Sequence, residues 1–148
     1  RACAYNDVFL KPKIMWPDMA QKMRVTFDSS KTFCGNTAYF FPTDDLFFLA
    51  LFNSSVIAFW ASKTLAVFQG NTFRFFSQNV SQFPIPRADD AARQPLRDEV
   101  AAIIAGVQAD PAADITAQER KIDELVYDLY GLSAHDRDII ENDIRQRG

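Results

Sequence analysis

Phe83-Pro84-Ile85-Pro86 is the stretch on which the reading of this chain turns. Two prolines in alternation lock φ and hold the residues before them in extended backbone, so no helix passes through it. Composition changes at the same point. All fourteen Phe and both Trp of the 148 residues lie before Arg87, and the remainder is rich in Ala and Asp. Residues 1–86 carry eight Lys/Arg against five acids, a balance of +3, and residues 87–148 carry eight against fourteen, a balance of −6, so the formal net charge of −3 hides a split.

Towards the N-terminus, Lys13-Ile14-Met15-Trp16 before Pro17 reads as a short strand, and Arg24 to Asp28 alternates with period two. Ser29-Ser30 and Cys34-Gly35-Asn36 are turn clusters, and Thr37 to Phe41 is a β-prone aromatic run. The pattern then changes. Pro42-Thr43-Asp44-Asp45 offers Thr43 as an N-cap, with two acids where the positive end of a helix dipole favours them. The predicted helix runs through Leu46, Leu49 and Ala50, breaks or kinks at Asn53-Ser54, and continues through Val56, Ile57, Phe59 and Trp60. Gln69-Gly70-Asn71 reads as a turn and Thr72 to Phe76 as a further strand.

Beyond the prolines the periodicity is helical throughout. Leu96, Val100, Ile103, Ile104 and Val107 form one apolar stripe that ends at Asp110-Pro111. Thr116-Ala117-Gln118-Glu119 reads as a capping box before Ile122, Leu125, Val126 and Leu129, with Gly131 as the stop. A last helix begins within Ser133 to Asp136 and carries Ile139, Ile140 and Ile144. Such narrow faces need partners, either one another, the first part, or a longer parent chain. The predicted class is therefore α+β: a mixed strand-helix domain over 1–86, then a three-helix segment over 87–148 that packs back on it or on the parent chain.

Length fits one domain, or one with an appendage, and excludes a complete large enzyme. The longest apolar run, Leu46 to Phe52, is too short for a bilayer, and no basic-plus-apolar leader opens the chain, so no membrane partner and a cytoplasmic location are expected. Cys3 and Cys34 lack CxxC spacing and His135 is the sole histidine, so no zinc set can be assembled and buried free thiols are expected. Asp44 and Asp45 are adjacent, about 100° apart on a helix, and do not converge as a catalytic pair. The chain starts at Arg1 and enters mixed sequence at once, as expected of a piece of something longer.

Lys11-Pro12-Lys13-Ile14-Met15-Trp16, Ala38-Tyr39-Phe40-Phe41-Pro42, Leu49-Ala50-Leu51-Phe52-Asn53-Ser54, Phe83-Pro84-Ile85-Pro86 and Ile122 to Leu132 occur in an order that resembles one family. It is the TaqI-like C-terminal specificity domain, the target-recognition region of bacterial DNA N6-adenine methyltransferases and of fused restriction-modification enzymes. The resemblance spans roughly residues 11–141. It implies sequence-specific binding of duplex DNA and a catalytic domain upstream in the same polypeptide, which holds S-adenosylmethionine and the flipped adenine. Neither a GxGxxG nor an Asn/Asp-Pro-Pro-Tyr/Phe motif is present, so no catalytic residue and no cofactor is assigned to this chain. Whether the parent also carries a nuclease is left open.

Recognition side chains sit on loops held by a rigid scaffold. On that ground the candidate DNA-binding residues are Lys31, Asn36, Lys63, Gln69, Asn71 and Arg74, with Lys22 and Arg24 ranked lower. Arg74 and Asn36 are expected to read base edges, and Lys31 and Lys63 to meet phosphates. Phe47, Phe48, Phe59 and Trp60 are expected in the core rather than stacked on a base. The rival reading is a protein-protein interaction module that docks a partner through its apolar helix faces.

Overall fold

The computed structural model describes residues 6–147. A short helix, α1 (Asn6–Phe9), leads into β1 (Lys13–Pro17), which pairs antiparallel with both β3 (Thr26–Asp28) and β4 (Ala38–Pro42) in the order β3-β1-β4. The chain then changes sheets. Beyond Asp18, β2 (Met19–Ala20) pairs with β6 (Thr72–Arg74), whose other edge holds β5 (Val67–Phe68), so a second sheet β2-β6-β5 grows from the end of β1.

Strand alternation decides what each face does. Ile14 and Trp16 share a face with Phe27, Tyr39 and Phe41 through the register pairs Ile14↔Phe27, Ile14↔Phe41 and Trp16↔Tyr39. That face meets α2 (Phe47–Asn53), with Phe41 edge-on to Phe48 and Phe52 at 5.6 and 5.9 Å between centroids. From Tyr39 the ring contacts run on through Trp16, Phe41, Phe52 and Phe83 to Trp60. Lys13 lies on the opposite face, yet it is wholly buried. Its ammonium donates to the Phe9 carbonyl at 2.9 Å and to the Asp28 carboxylate at 2.5 Å, and Phe9 packs on Phe33 and Phe40. The Lys13 ammonium holds the Asp28 carboxyl well below the usual carboxylate range, with help from Ser30 and Thr32.

The helix break at Asn53-Ser54 falls where the sequence places it. Ser54 is extended at φ −70° and ψ 156°, and its Oγ accepts the Ile57 N–H at the head of α3 (Ser55–Thr64). The start of α2 differs from expectation. It begins at Phe47, one turn after Thr43, because Thr43 Oγ1 takes the Asp45 N–H and Asp45 Oδ1 takes the Phe47 N–H. Two predicted strands are shorter than their patterns: β3 keeps Thr26 to Asp28, and β6 stops at Arg74 before the turn of helix α4 (Ser77–Val80). Cys34 is half-buried rather than buried, and Cys3 lies outside the described residues.

The C-terminal helices fold back on the first part. Helix α5 (Asp90–Ala109) packs on α2, α6 (Thr116–Tyr130) on α5 and α3, and α7 (Ala134–Arg147) on α3. Leu96, Val100, Ile122, Val126, Tyr127 and Ile140 enter the same core as the strands. Arg97 and Arg93 reach from α5 to Asp45, and the Tyr130 hydroxyl donates to the Pro84 carbonyl. Three details depart from the periodicity. Val107 and Ile139 are exposed, the latter because its neighbour Ile140 takes the buried direction about 100° away. The capping box is not at Thr116, since Ile115 precedes the first turn and Asp114 accepts the Thr116 N–H. It is at Ser133 and Asp136, which exchange hydrogen bonds at the head of α7. Gly131, at φ 65°, ends α6 as its sequence position requires.

Trp16 Nε1 donates to the Phe75 carbonyl at 2.8 Å, so one buried hydrogen bond ties the core face of the first sheet to the end of the second. Trp16→Phe should lower stability by about 1–3 kcal/mol, because it orphans a buried carbonyl and removes part of a packed ring. A lower urea midpoint at unchanged slope is the expected result.

Candidate nucleic-acid interface

The loop 29–37 carries the chain from one edge of the first sheet to the other. It starts at Asp28, opposite Lys13, and ends at Ala38, opposite Pro17. Lys31 sits near its start. Asp28 gathers the N–H groups of Ser30 and Thr32 and winds the backbone so tightly that Lys31 adopts φ 64°. Its side chain is exposed, with no ion pair. Asn36 sits at the other end, exposed, beside Thr37, whose carbonyl accepts the Asp18 N–H at 2.9 Å.

Asp18 is the meeting point. Its carbonyl accepts the Phe75 N–H at 2.7 Å and its carboxylate takes Arg74 Nη2 at 2.7 Å and Nε at 3.4 Å. One residue therefore joins the Asn36 end of the loop to β6. The guanidinium of Arg74 also lies 4.5 Å from the Phe76 ring centre and 5.5 Å from that of Phe68. Arg74 is thus fixed in direction rather than free to swing. Asn71 projects from the hairpin tip between β5 and β6 at φ 58°, next to Gly70 at φ 67°. The left-handed pair is what closes a three-residue loop here. The Gln69 side chain lies outside the described residues.

This chain matches the model of the TaqI-like C-terminal specificity domain over residues 2–85. It belongs to that family. Membership points to DNA target recognition in restriction-modification enzymes, alongside a fused catalytic partner. No curated protein matches the chain. The specificity-domain match ends at Ile85, within the Pro-Ile-Pro stretch, so the Ile122 to Leu132 block and all three C-terminal helices lie outside it. Among the sequence candidates, Arg74 lies in β6 of the second sheet and Asn71 at its hairpin tip, Asn36 lies at the loop end that Asp18 ties to that sheet, and Lys31 stands at the far end of the loop.

Lys63 stands apart, and its charge is already taken up. It lies in the last turn of α3 and pairs with Asp143 of α7 at 2.5 Å, where Arg147 and Ser62 also bind. It clasps the last helix, with its side chain 47% exposed. The apolar helix faces that would dock a partner are likewise covered: among described residues of α5 to α7, Val107 and Ile139 are the large apolar side chains left exposed. The aromatic side chains Phe47, Phe48, Phe59 and Trp60 all belong to the core or pack against it, as expected.

A cleft of about 530 Å3 opens between the Lys22–Val25 segment and α6, with Asp123 on its wall. Burial pushes the Asp123 carboxyl up, while the N–H and hydroxyl of Ser55, each at 2.7 Å, act the other way. Its oxygens are therefore engaged in seating α3 on α6. Among the described residues no cluster of His, Cys, Asp or Glu is arranged to hold a metal ion, and no helix is long and apolar enough to cross a membrane.

Arg147 first and then Lys63 hold the Asp143 carboxyl down to about 2. A depressed carboxyl stabilises the fold fully above its unfolded value of about 4 and loses that effect as pH falls through 2. Lys63→Ala should therefore cost up to about 1 kcal/mol at pH 7, as for other largely exposed pairs. In denaturant melts the gap from wild type should close as pH falls from 4 to below 2, with faster hydrogen exchange confined to α7 at neutral pH.

Proposed function

We propose that this chain reads a short duplex sequence for an adenine-specific DNA methyltransferase, or for a restriction-modification enzyme in which such a methyltransferase is fused to a nuclease. The observation that carries the reading is the junction at Asp18, which fixes Arg74 and ties the end of the loop that bears Asn36 to the sheet whose hairpin tip bears Asn71, all inside the matched residues. Asparagine offers the donor-acceptor pair that matches an adenine edge, and arginine the paired donors that match a guanine edge, in the major groove. Residues 1–86 form the reading unit, and 87–148 form a platform that stiffens α2 and α3. The net negative charge of the platform keeps it off the phosphates.

Methyl transfer, with S-adenosylmethionine, belongs in this reading to a catalytic domain upstream in the parent polypeptide, in the cytoplasm of a bacterium. The cleft beside Asp123 does not fit that cofactor: its carboxylate is engaged by Ser55, and no glycine lines it. No step of the chemistry is drawn through this chain.

The test is selection of bound duplexes from a random pool by the 148-residue chain, followed by salt titration of the winners. Wild type should enrich one short target. Arg74→Ala or Asn36→Ala should relax one position of it at a cost of about 1–3 kcal/mol, whereas Lys31→Ala should weaken all duplexes alike and lower the salt slope by about one. An unchanged target in both Arg74 and Asn36 variants would move the reading surface elsewhere.

A further inference from the structure

We propose that Phe68 stacks on an unpaired base of the bound DNA, with Arg74 closing the inner side of its ring. The inference rests on DNA reading by this domain and names the residue that senses an opened duplex.

Nearly every aromatic ring of the chain is in the core or against it. Among the described residues the exposed ones are Phe33 and Phe68. Phe33 has its ring stacked on Phe9, 4.9 Å away and 21° from parallel, so its packing is intramolecular. Phe68 has no ring partner of that kind. Its neighbour is the Arg74 guanidinium at 5.5 Å, which is held in place by Asp18 and by the Phe76 ring at 4.5 Å and so cannot cover both faces of Phe68. The ring is 44% exposed. The inner side is backed by a cation; the outer side is open.

The surroundings fit a base better than another apolar surface. At the hairpin tip Gly70 and Asn71 are both exposed. Met19, opposite Arg74 in the register, is also exposed on the face that carries Phe68, and Val67 is exposed on the other face of this edge strand. Lys22 and Arg24, just beyond β2, are exposed with no ion pair, and the acid at this sheet, Asp18, is neutralised by Arg74. Exposed cations just beyond β2 and an open aromatic ring on the same sheet suit a polyanion that offers ring faces. In an intact duplex those faces are covered by neighbouring bases, so the open side of Phe68 can be satisfied only where pairing and stacking are broken.

The test uses the 148-residue chain and two labelled duplexes of identical sequence, one fully paired and one with 2-aminopurine opposite an abasic site. Wild type should bind the second about tenfold or more tightly, the worth of one base-aromatic stack, and quench its fluorescence. Phe68→Ala should lose both the preference and the quenching yet hold the paired duplex within twofold; Phe68→Trp should retain them, as should Phe33→Ala. Unchanged circular dichroism checks the fold of each variant. Retention of the preference by Phe68→Ala, its absence in wild type, or equal loss of both duplexes in Phe68→Ala would overturn the assignment. Failure of wild type to bind either duplex would instead overturn DNA reading, and this inference with it.

Discussion

The run from Lys13 to Ala20 belongs to two sheets, and most of the molecule depends on how that run is held. Its first half carries Ile14 and Trp16 into the core, and its second half forms the edge on which β6 is laid. Between them Asp18 uses its N–H, its carbonyl and its carboxylate at once. The buried indole N–H of Trp16 repeats the tie from inside. Buried backbone groups are costly when unpaired, so these bonds leave the second sheet little choice of position. The second sheet inherits its geometry from the core in this way.

The split in charge has a structural counterpart. Acids of one part and cations of the other pair across the Pro-Ile-Pro boundary: Asp45 with Arg93 and Arg97, and Asp143 with Lys63. Such partly exposed pairs add modestly to stability, but they fix the register in which helices lie against one another. On the first part, Lys22, Arg24 and Lys31 are exposed cations outside the ion pairs among the described residues, and the balance of +3 is unchanged by the pairing.

Much of this was legible from residues alone, and the failures share a cause. Strand β1, strand β4, the break at Ser54 and the stop at Gly131 rest on local rules, namely proline, alternation, capping and left-handed glycine, and local rules are written in sequence. The two-residue strands β2 and β5 have too little pattern to be read; they exist because β6 supplies partners from more than fifty positions away in the case of β2. The same distance hides the fate of cations. Nothing near Lys63 announces Asp143, and nothing near Lys13 announces that a lysine will be sealed under α1 with Asp28. Capping boxes fail differently: Thr116 and Ser133 both carry the pattern, and which one is used depends on whether a preceding Asp114 takes the backbone first. At the candidate interface, loop position singles out Asn36, Asn71 and Arg74 as candidates, whereas exposure of Phe68 is a property of its neighbours and left no trace in the sequence.

The Trp16 to Phe75 bond spans 59 positions. Closing so long a loop costs entropy before any contact rewards it, whereas α5, α6 and α7 are built from contacts within a turn or two. The order of folding follows. As the chain leaves the ribosome, β1 can pair along its length with β4, but β2 has no partner until β6 has emerged, and the helix pair after Pro42 is already available to shelter Ile14 and Trp16 in the interval. The second sheet is therefore the later of the two to acquire its shape, and a nascent chain stalled short of Phe75 would carry the first sheet without it.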